Sequence, residues 1–247
     1  RYAHQLTGEK QLCLSGGVAL NCVANGRLLR EGPFEEIWIQ PAAGDSGSAL
    51  GAAMDAYYSY FGNSRLDPTD EQGCEQGGSY WGPEFSEQEI ASFLETHGYK
   101  HRQLNPSERA SRIAQYLDSG KVVGHFSGRT EFGPRSLGSR SILGDARNEE
   151  TQTTLNLRIK YRESFRPFAP TVLAERVSDY FELDRESPYM LIVAKVKKER
   201  QKPFERGTSS DLLAVVRRPR SDIPAVTHVD YSARIQTIKQ SDHRHYY

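Results

Sequence analysis

Gln11-Leu12-Cys13-Leu14-Ser15-Gly16-Gly17-Val18-Ala19-Leu20-Asn21-Cys22 is the stretch on which the fold turns. An apolar run of strand length stops at Ser15-Gly16-Gly17. Small and apolar residues at 18, 19, 22, 23, 28 and 29 then follow a helical spacing through Leu29. The same order recurs downstream. Glu36-Ile37-Trp38-Ile39 reads as a second strand, Pro41-Ala42-Ala43-Gly44-Asp45-Ser46-Gly47 as a second glycine turn, and Ser48 to about Tyr58 as a second helix. Strand, turn and helix twice over make an α/β unit, and the turns after its strands are where such sheets bind ligands.

The whole chain agrees with a folded, mixed protein. Its 247 residues suffice for one large domain or two ordinary ones. A 10% aromatic content excludes disorder despite a mean hydropathy of −0.66. Thirty-two basic residues balance 32 acidic ones, which argues against a protein whose main work is neutralising a nucleic-acid backbone. No apolar run approaches the roughly 18 residues of a membrane span, and Arg1-Tyr2-Ala3-His4 carries no signal-peptide core, so a cytoplasmic chain is expected. Cys13, Cys22 and Cys74 show no CxxC spacing, which fits a reducing compartment and excludes a cysteine zinc site. Cys13, between Leu12 and Leu14, is expected to be a buried, inert thiol. Arginine outnumbers lysine 23 to 9, a tilt toward anionic ligands.

Residues 63–84, rich in Gly, Pro, Asp and Ser, read as a linker between a unit at 1–62 and another at 85–247. The second unit opens with Ser86 as N-cap, Glu89 three residues on, and apolar Ile90, Phe93 and Leu94. Ser107 is expected to open a further helix through Leu117, and Lys121–Phe126 to form a buried strand. Thr171–Ala174 and Tyr189–Ala194 read as strands, and Lys195–Arg206 as a solvated charged loop.

Four constellations carry chemistry. Ser15-Gly16-Gly17 is either an anion cradle at a helix start or a plain tight turn. Asp45, among glycines, is either a metal ligand or a helix-capping carboxylate. Gly128-Arg129-Thr130-Glu131-Phe132-Gly133-Pro134-Arg135-Ser136-Leu137-Gly138-Ser139-Arg140 sets three arginines on a stiff Gly/Pro loop, suited to oxyanions. In Lys160-Tyr161-Arg162-Glu163-Ser164-Phe165-Arg166-Pro167-Phe168, an extended backbone would put Lys160 and Arg162 on one face. Between Arg129 and Arg166 stand seven Arg and one Lys against five acids, which suggests a nucleotide or acyl phosphate; a surface salt-bridge network is the alternative.

Taken in series, SGGVALNCVANGRL, AAGDSGSALGAA, GRTEFGPRSLGSRSIL, IKYRESFRPFAP and THVDYSARIQT resemble the O-carbamoyltransferases of nodulation and antibiotic tailoring over nearly the whole chain. The resemblance implies an α/β (α+β) protein: the C-terminal portion of an actin-like ATPase-fold domain at 1–62, then an incomplete YrdC-like domain at 85–247. It implies a biosynthetic enzyme that uses ATP with Mg²⁺ and carbamoyl phosphate to make carbamoyl adenylate. The actin-like domain, holding an iron(II) ion, would then pass the carbamoyl group to a hydroxyl of a small acceptor, a sugar or natural product. Carried over, Arg135, Lys160 and Arg166 become catalytic, and Gly16, Gly17, Asn21, Arg162, His228 and Arg234 line the nucleotide and carbamoyl phosphate site. Asp45 becomes a metal ligand. The family's metal-completing histidine pair precedes Arg1 and its last segment follows Tyr247, so the chain is expected to be a piece lacking both ends. The family pattern HVDG[TS]AR stands here as His228-Val229-Asp230-Tyr231-Ser232-Ala233-Arg234, and Tyr231 in place of glycine is expected to disfavour a left-handed backbone. A rival reading is a non-catalytic nucleotide- or RNA-binding module using the arginine-rich surface.

Overall fold

The computed structural model describes residues 1–65, 77–203 and 212–247. Helix α1 (Tyr2–Thr7) precedes strand β1 (Gln11–Leu14), helix α2 (Cys22–Glu31), strand β2 (Glu36–Ile39) and helix α3 (Asp45–Asp55). Strands β1 and β2 pair in parallel, Leu12 against Ile37 and Leu14 against Ile39. The expected order therefore holds. The expected helix across 18–29 instead divides into a 3₁₀ turn (Gly17–Leu20) and α2, because Asn21 accepts the Ala24 N–H at 3.1 Å as an N-cap. The second helix starts three residues earlier than expected, at Asp45 rather than Ser48. Cys13 is exposed, a correction: alternation in β1 turns Leu12 and Leu14 inward and the thiol outward. Cys74 lies outside the described residues.

Helix α4 (Glu87–Thr96) carries the expected capping box of Ser86 and Glu89, yet Ile90 and Phe93 are exposed. Helix α5 (Pro106–Asp118) starts one residue before Ser107. Asn105 is its N-cap, with Pro106 in the first turn and Glu108 completing a capping box. Strands β3 (Val123–Phe126) and β4 (Arg140–Leu143) form an antiparallel ribbon. Only His125 of β3 is buried and Phe126 is more than half exposed, so the expectation of a buried strand fails.

Helix α6 (Thr151–Thr154) and strand β5 (Thr171–Leu173) follow, then helix α7 (Val177–Tyr180) and strand β6 (Ile192–Lys195). Strand β6 thus begins three residues after Tyr189 and takes in Lys195, which the sequence pattern places in the charged loop. That loop in part lies outside the described residues. Helix α8 (Leu212–Arg217) and strand β7 (Ser232–Ile238) complete the chain's elements. Strand β7 is central, parallel to β5 and antiparallel to β6. It is buried throughout except at Arg234, which is half-buried.

The main core gathers Val177, Phe181, Leu183, Ala194, Val196, Ile223, Val226, Ala233 and Ile235. Phe181, Val196 and Ile235 are almost wholly buried, each stabilising by about 2 kcal/mol. A second cluster joins Ala19, Ile39 and Ala43 of the first unit to Leu191 beside β6. Asn25 Nδ2 donates to the Leu191 carbonyl at 3.0 Å and Arg30 to the Val193 carbonyl at 2.8 Å, so α2 lies directly on β6. The described end of the segment read as a linker is also packed. The Gly82 N–H donates to the Thr130 carbonyl at 2.8 Å, and the Phe132 N–H to Ser79 at 2.7 Å.

Candidate functional site

A cavity of about 770 Å³ opens between the loop after β3, the loop after α6 and the β5–β7 sheet. Its walls carry Arg135, Arg140, Lys160, Arg162, Arg166 and Arg234 and, among the described residues, no carboxylate. Six cations thus converge on one space in a chain of zero net charge.

Two buried polar side chains build the cation-bearing loops. Glu131 has no exposed side-chain surface. One oxygen accepts the Leu137 N–H at 2.6 Å and the Ser139 N–H at 2.9 Å, and the other accepts Arg140 Nε at 2.7 Å. Burial would raise its pKa. The Arg140 and backbone hydrogen bonds outweigh that and hold the carboxyl below its ordinary range. Glu131 thereby closes the 131–140 segment into a ring that presents Arg135. Gly138, at φ 122, lets the ring of Tyr246 seat against that loop, where a Cβ would meet a ring carbon at 2.3 Å.

Asn156, fully buried, does the same for the second loop. Its amide donates to the Ser164 carbonyl at 3.0 Å and the Arg166 carbonyl at 2.9 Å, and its oxygen accepts Arg162 Nε at 2.6 Å. The Arg162 guanidinium also lies over the Phe168 ring, 4.9 Å from its centroid. Lys160 and Arg162 both line the cavity, but not by the extended alternation expected: a π-turn over Leu155–Ile159 is followed by Tyr161 at φ 48.

Of the six cations, Arg140 is paired with Glu131 and Arg166 with Glu163 at 2.9 Å. Arg135, Lys160, Arg162 and Arg234 have no carboxylate partner among the described residues. Arg135 donates to the Leu20 carbonyl at 3.4 Å, while its buried Nε has no partner. Burial, then the like charges of Arg135 and Arg162, push the Arg234 guanidinium below its ordinary pKa. Unneutralised, crowded and partly desolvated cations favour a multiply charged anion, which relieves all three conditions together.

The other expected residues lie elsewhere. Gly16 (φ 92) and Gly17 form a turn with open space around them, and Asn21 is spent on capping α2. The Leu20 carbonyl brings that turn to the cavity only through Arg135. His228 does not line the cavity. Its Nδ1 shares a hydrogen bond with Ser232 Oγ at 3.0 Å, and burial, with the nearby Arg234 charge, lowers its pKa against the opposing pull of Asp230. Tyr231 does adopt the left-handed backbone expected to be disfavoured, at φ 64; its N–H donates to the His228 carbonyl at 3.0 Å and its hydroxyl to Lys202 at 3.3 Å. Asp45 is exposed at the start of α3, and among the described residues no three His, Cys, Asp or Glu side chains cluster as metal ligands would. A single exposed carboxylate does not hold iron, so the described residues do not fit that ion.

Glu131, Asn156, Gln236 and Tyr246 are the site residues that sequence reasoning missed. Tyr246 donates to Thr171 Oγ1 at 2.9 Å, which donates to Gln236 Oε1 at 3.0 Å, a polar chain along the cavity wall. Nothing in their spacing sets them apart; their burial does.

The chain matches the family described as "Carbamoyltransferase N-terminus" over residues 2–54 and "Carbamoyltransferase C-terminus" over residues 114–247. It is 52% identical over 244 residues to an uncharacterized protein of Synechocystis sp., covering 97% of this chain and 39% of that protein. Identity to the nodulation protein NolNO of Sinorhizobium fredii is 37% over 251 residues, 100% of this chain and 33% of the relative. With the 3'-hydroxymethylcephem-O-carbamoyltransferase of Streptomyces clavuligerus it is 33% over 227 residues, 92% and 36% of the two chains. The chain thus spans about a third to two fifths of the length of these relatives. Both parts of the family pattern follow in order on one chain, and every cation of the cavity lies inside the second; the chain belongs to the carbamoyltransferase family.

Proposed function

We propose that the cation-lined cavity binds ATP and carbamoyl phosphate and makes carbamoyl adenylate, whose carbamoyl group goes to a hydroxyl of a small acceptor. The observation that carries this reading is four cations that, among the described residues, have no carboxylate partner and share a cavity wall without a carboxylate. A relative named as a cephem O-carbamoyltransferase supports the hydroxyl acceptor. In the same reading, residues 1–62 belong to an actin-like domain and 85–247 to a YrdC-like domain.

Water hydrolyses carbamoyl phosphate to carbamate and inorganic phosphate, and a carbamate oxygen attacks the α-phosphorus of ATP with loss of pyrophosphate. The acceptor hydroxyl oxygen then attacks the carbamoyl carbon, releasing its proton to solvent and displacing AMP. Negative charge grows on the phosphoryl oxygens during the second step. Arg135, Lys160 and Arg166 are assigned to stabilise it, with Arg162 and Arg234 holding the remaining phosphates. The Asn156 and Glu131 networks fix Arg162 and the Arg135 loop before the ligand arrives, so little reorganisation is left to the reaction.

Thermal denaturation with Mg-ATP and carbamoyl phosphate tests the proposal. At a hundredfold excess over Kd the midpoint should rise by roughly 5–10 °C, and Arg135→Ala should abolish the rise. No shift in the folded wild-type chain would overturn the assignment. Pyrophosphate release separates an enzyme from the rival module, which binds nucleotide or RNA without turnover.

A further inference from the structure

Four non-glycine residues among those described have positive φ: Ser79, Tyr161, Met190 and Tyr231. Such a backbone is strained for a bulky side chain and persists where something else requires it. For three of them the structure shows what that is. Ser79 is fully buried and accepts the Phe132 N–H. Met190 lines the cavity. The Tyr231 hydroxyl is anchored on Lys202.

Tyr161 is different. Its side chain is 85% exposed and has neither a hydrogen bond nor a ring contact among the described residues, so the fold gains nothing from the ring. The backbone around it is nevertheless clamped. The Lys160 N–H donates to the Leu155 carbonyl at 2.9 Å and the Arg162 N–H to the Asn156 carbonyl at 3.0 Å. Both neighbours, Lys160 and Arg162, line the cavity. Arg162 is held by Asn156 and Phe168, and Tyr161, which does not itself line the cavity, is left exposed between two residues that do.

We infer that Tyr161 is the platform on which the planar base of a nucleotide stacks when its phosphates occupy the cavity, an inference that rests on the nucleotide reading above. The lining offers cations for phosphate, and an exposed ring with two free torsions offers a flat face at small entropic cost. Asparagine or glycine would relieve the strain at this position, so the tyrosine serves a ligand rather than the fold.

Calorimetric titration with Mg-ATP and with inorganic tripolyphosphate, which has the charge without the ring, tests the inference. Tyr161→Asn should weaken ATP binding about tenfold, leave tripolyphosphate binding unchanged, and keep or raise Tm. Tyr161→Phe should bind both as the wild type does. Unchanged ATP affinity in Tyr161→Asn, or an equal loss for both ligands, would overturn the inference. A wild type that binds tripolyphosphate as tightly as ATP would also overturn it, while leaving the anion cavity standing. If the wild type binds neither, the nucleotide reading falls and the inference falls with it.

Discussion

The glycine turns of the first unit and the pinned loops of the second both read from sequence as binding devices, yet they are built in opposite ways. At Gly44–Gly47 it is Gly47 that serves close packing: a Cβ on it would lie 2.0 Å from the Ala42 carbonyl oxygen, and the one charged side chain, Asp45, stays exposed. In the 131–140 and 156–166 loops the polar groups are inside. Glu131 and Asn156 use their hydrogen-bonding capacity on the backbone and on one arginine each, and Arg135, Lys160 and Arg234 face the cavity with no carboxylate partner among the described residues. A glycine-rich turn therefore reports a backbone conformation, whereas a saturated buried polar group reports a fixed constellation.

That contrast has consequences of graded size. Glu131→Ala should be the most damaging change, at about 3–4 kcal/mol, because it strands buried N–H groups and one arginine; chemical denaturation reads it directly. Glu131→Gln keeps the acceptor and should cost less. Because the folded carboxyl is held below its ordinary pKa, its contribution is present above about pH 4.3 and is lost as pH falls through the lowered value. Stability measured against pH should accordingly fall less steeply below pH 4 in the glutamine variant.

Asn156→Leu should follow at about 2–3 kcal/mol, leaving the Ser164 and Arg166 carbonyls and Arg162 Nε without their partner. Its ATP affinity should drop with its stability. Unchanged affinity would show that the buried amide holds the loop but not the site.

Gly26→Ala should cost about 2 kcal/mol, since its Cβ would sit 2.3 Å from the Val193 carbonyl oxygen and push α2 away from β6. At the far end of the scale, Gly17→Ala and Asp45→Asn should each stay within about 0.5 kcal/mol, as nothing lies within 4 Å of the added methyl and the carboxylate is exposed. A loss above 1 kcal/mol in either would break the contrast between the two regions.

The sequence was most readable where one local rule governs. The strands β1 and β2 and the Ser86 capping box follow from periodicity and capping chemistry alone. Arg135, Lys160, Arg162, Arg166 and Arg234 stand on three separate stretches of sequence, and they share one cavity. What was not readable depends on tertiary context. The exposure of Cys13 does not follow from its neighbouring leucines, which do not say which face of a strand a residue takes. The start of α5 lies before Ser107 because Asn105-Pro106 outcompetes Ser107 as a cap. Glu131 and Asn156 sit among other polar residues and give no sign in the sequence that they are buried.

The contact of α2 with β6 bears on solubility. Strand β6 is at the margin of its sheet, with β7 on one flank only. Unpaired carbonyls along such a margin are a template on which a second chain can extend the sheet. Here Asn25 and Arg30 occupy the Leu191 and Val193 carbonyls, while Phe181 bridges to Val196 at the other end. The first unit's helix is thus a guard against edge-to-edge aggregation, and removing it would leave the sheet adhesive even if the cavity kept its shape.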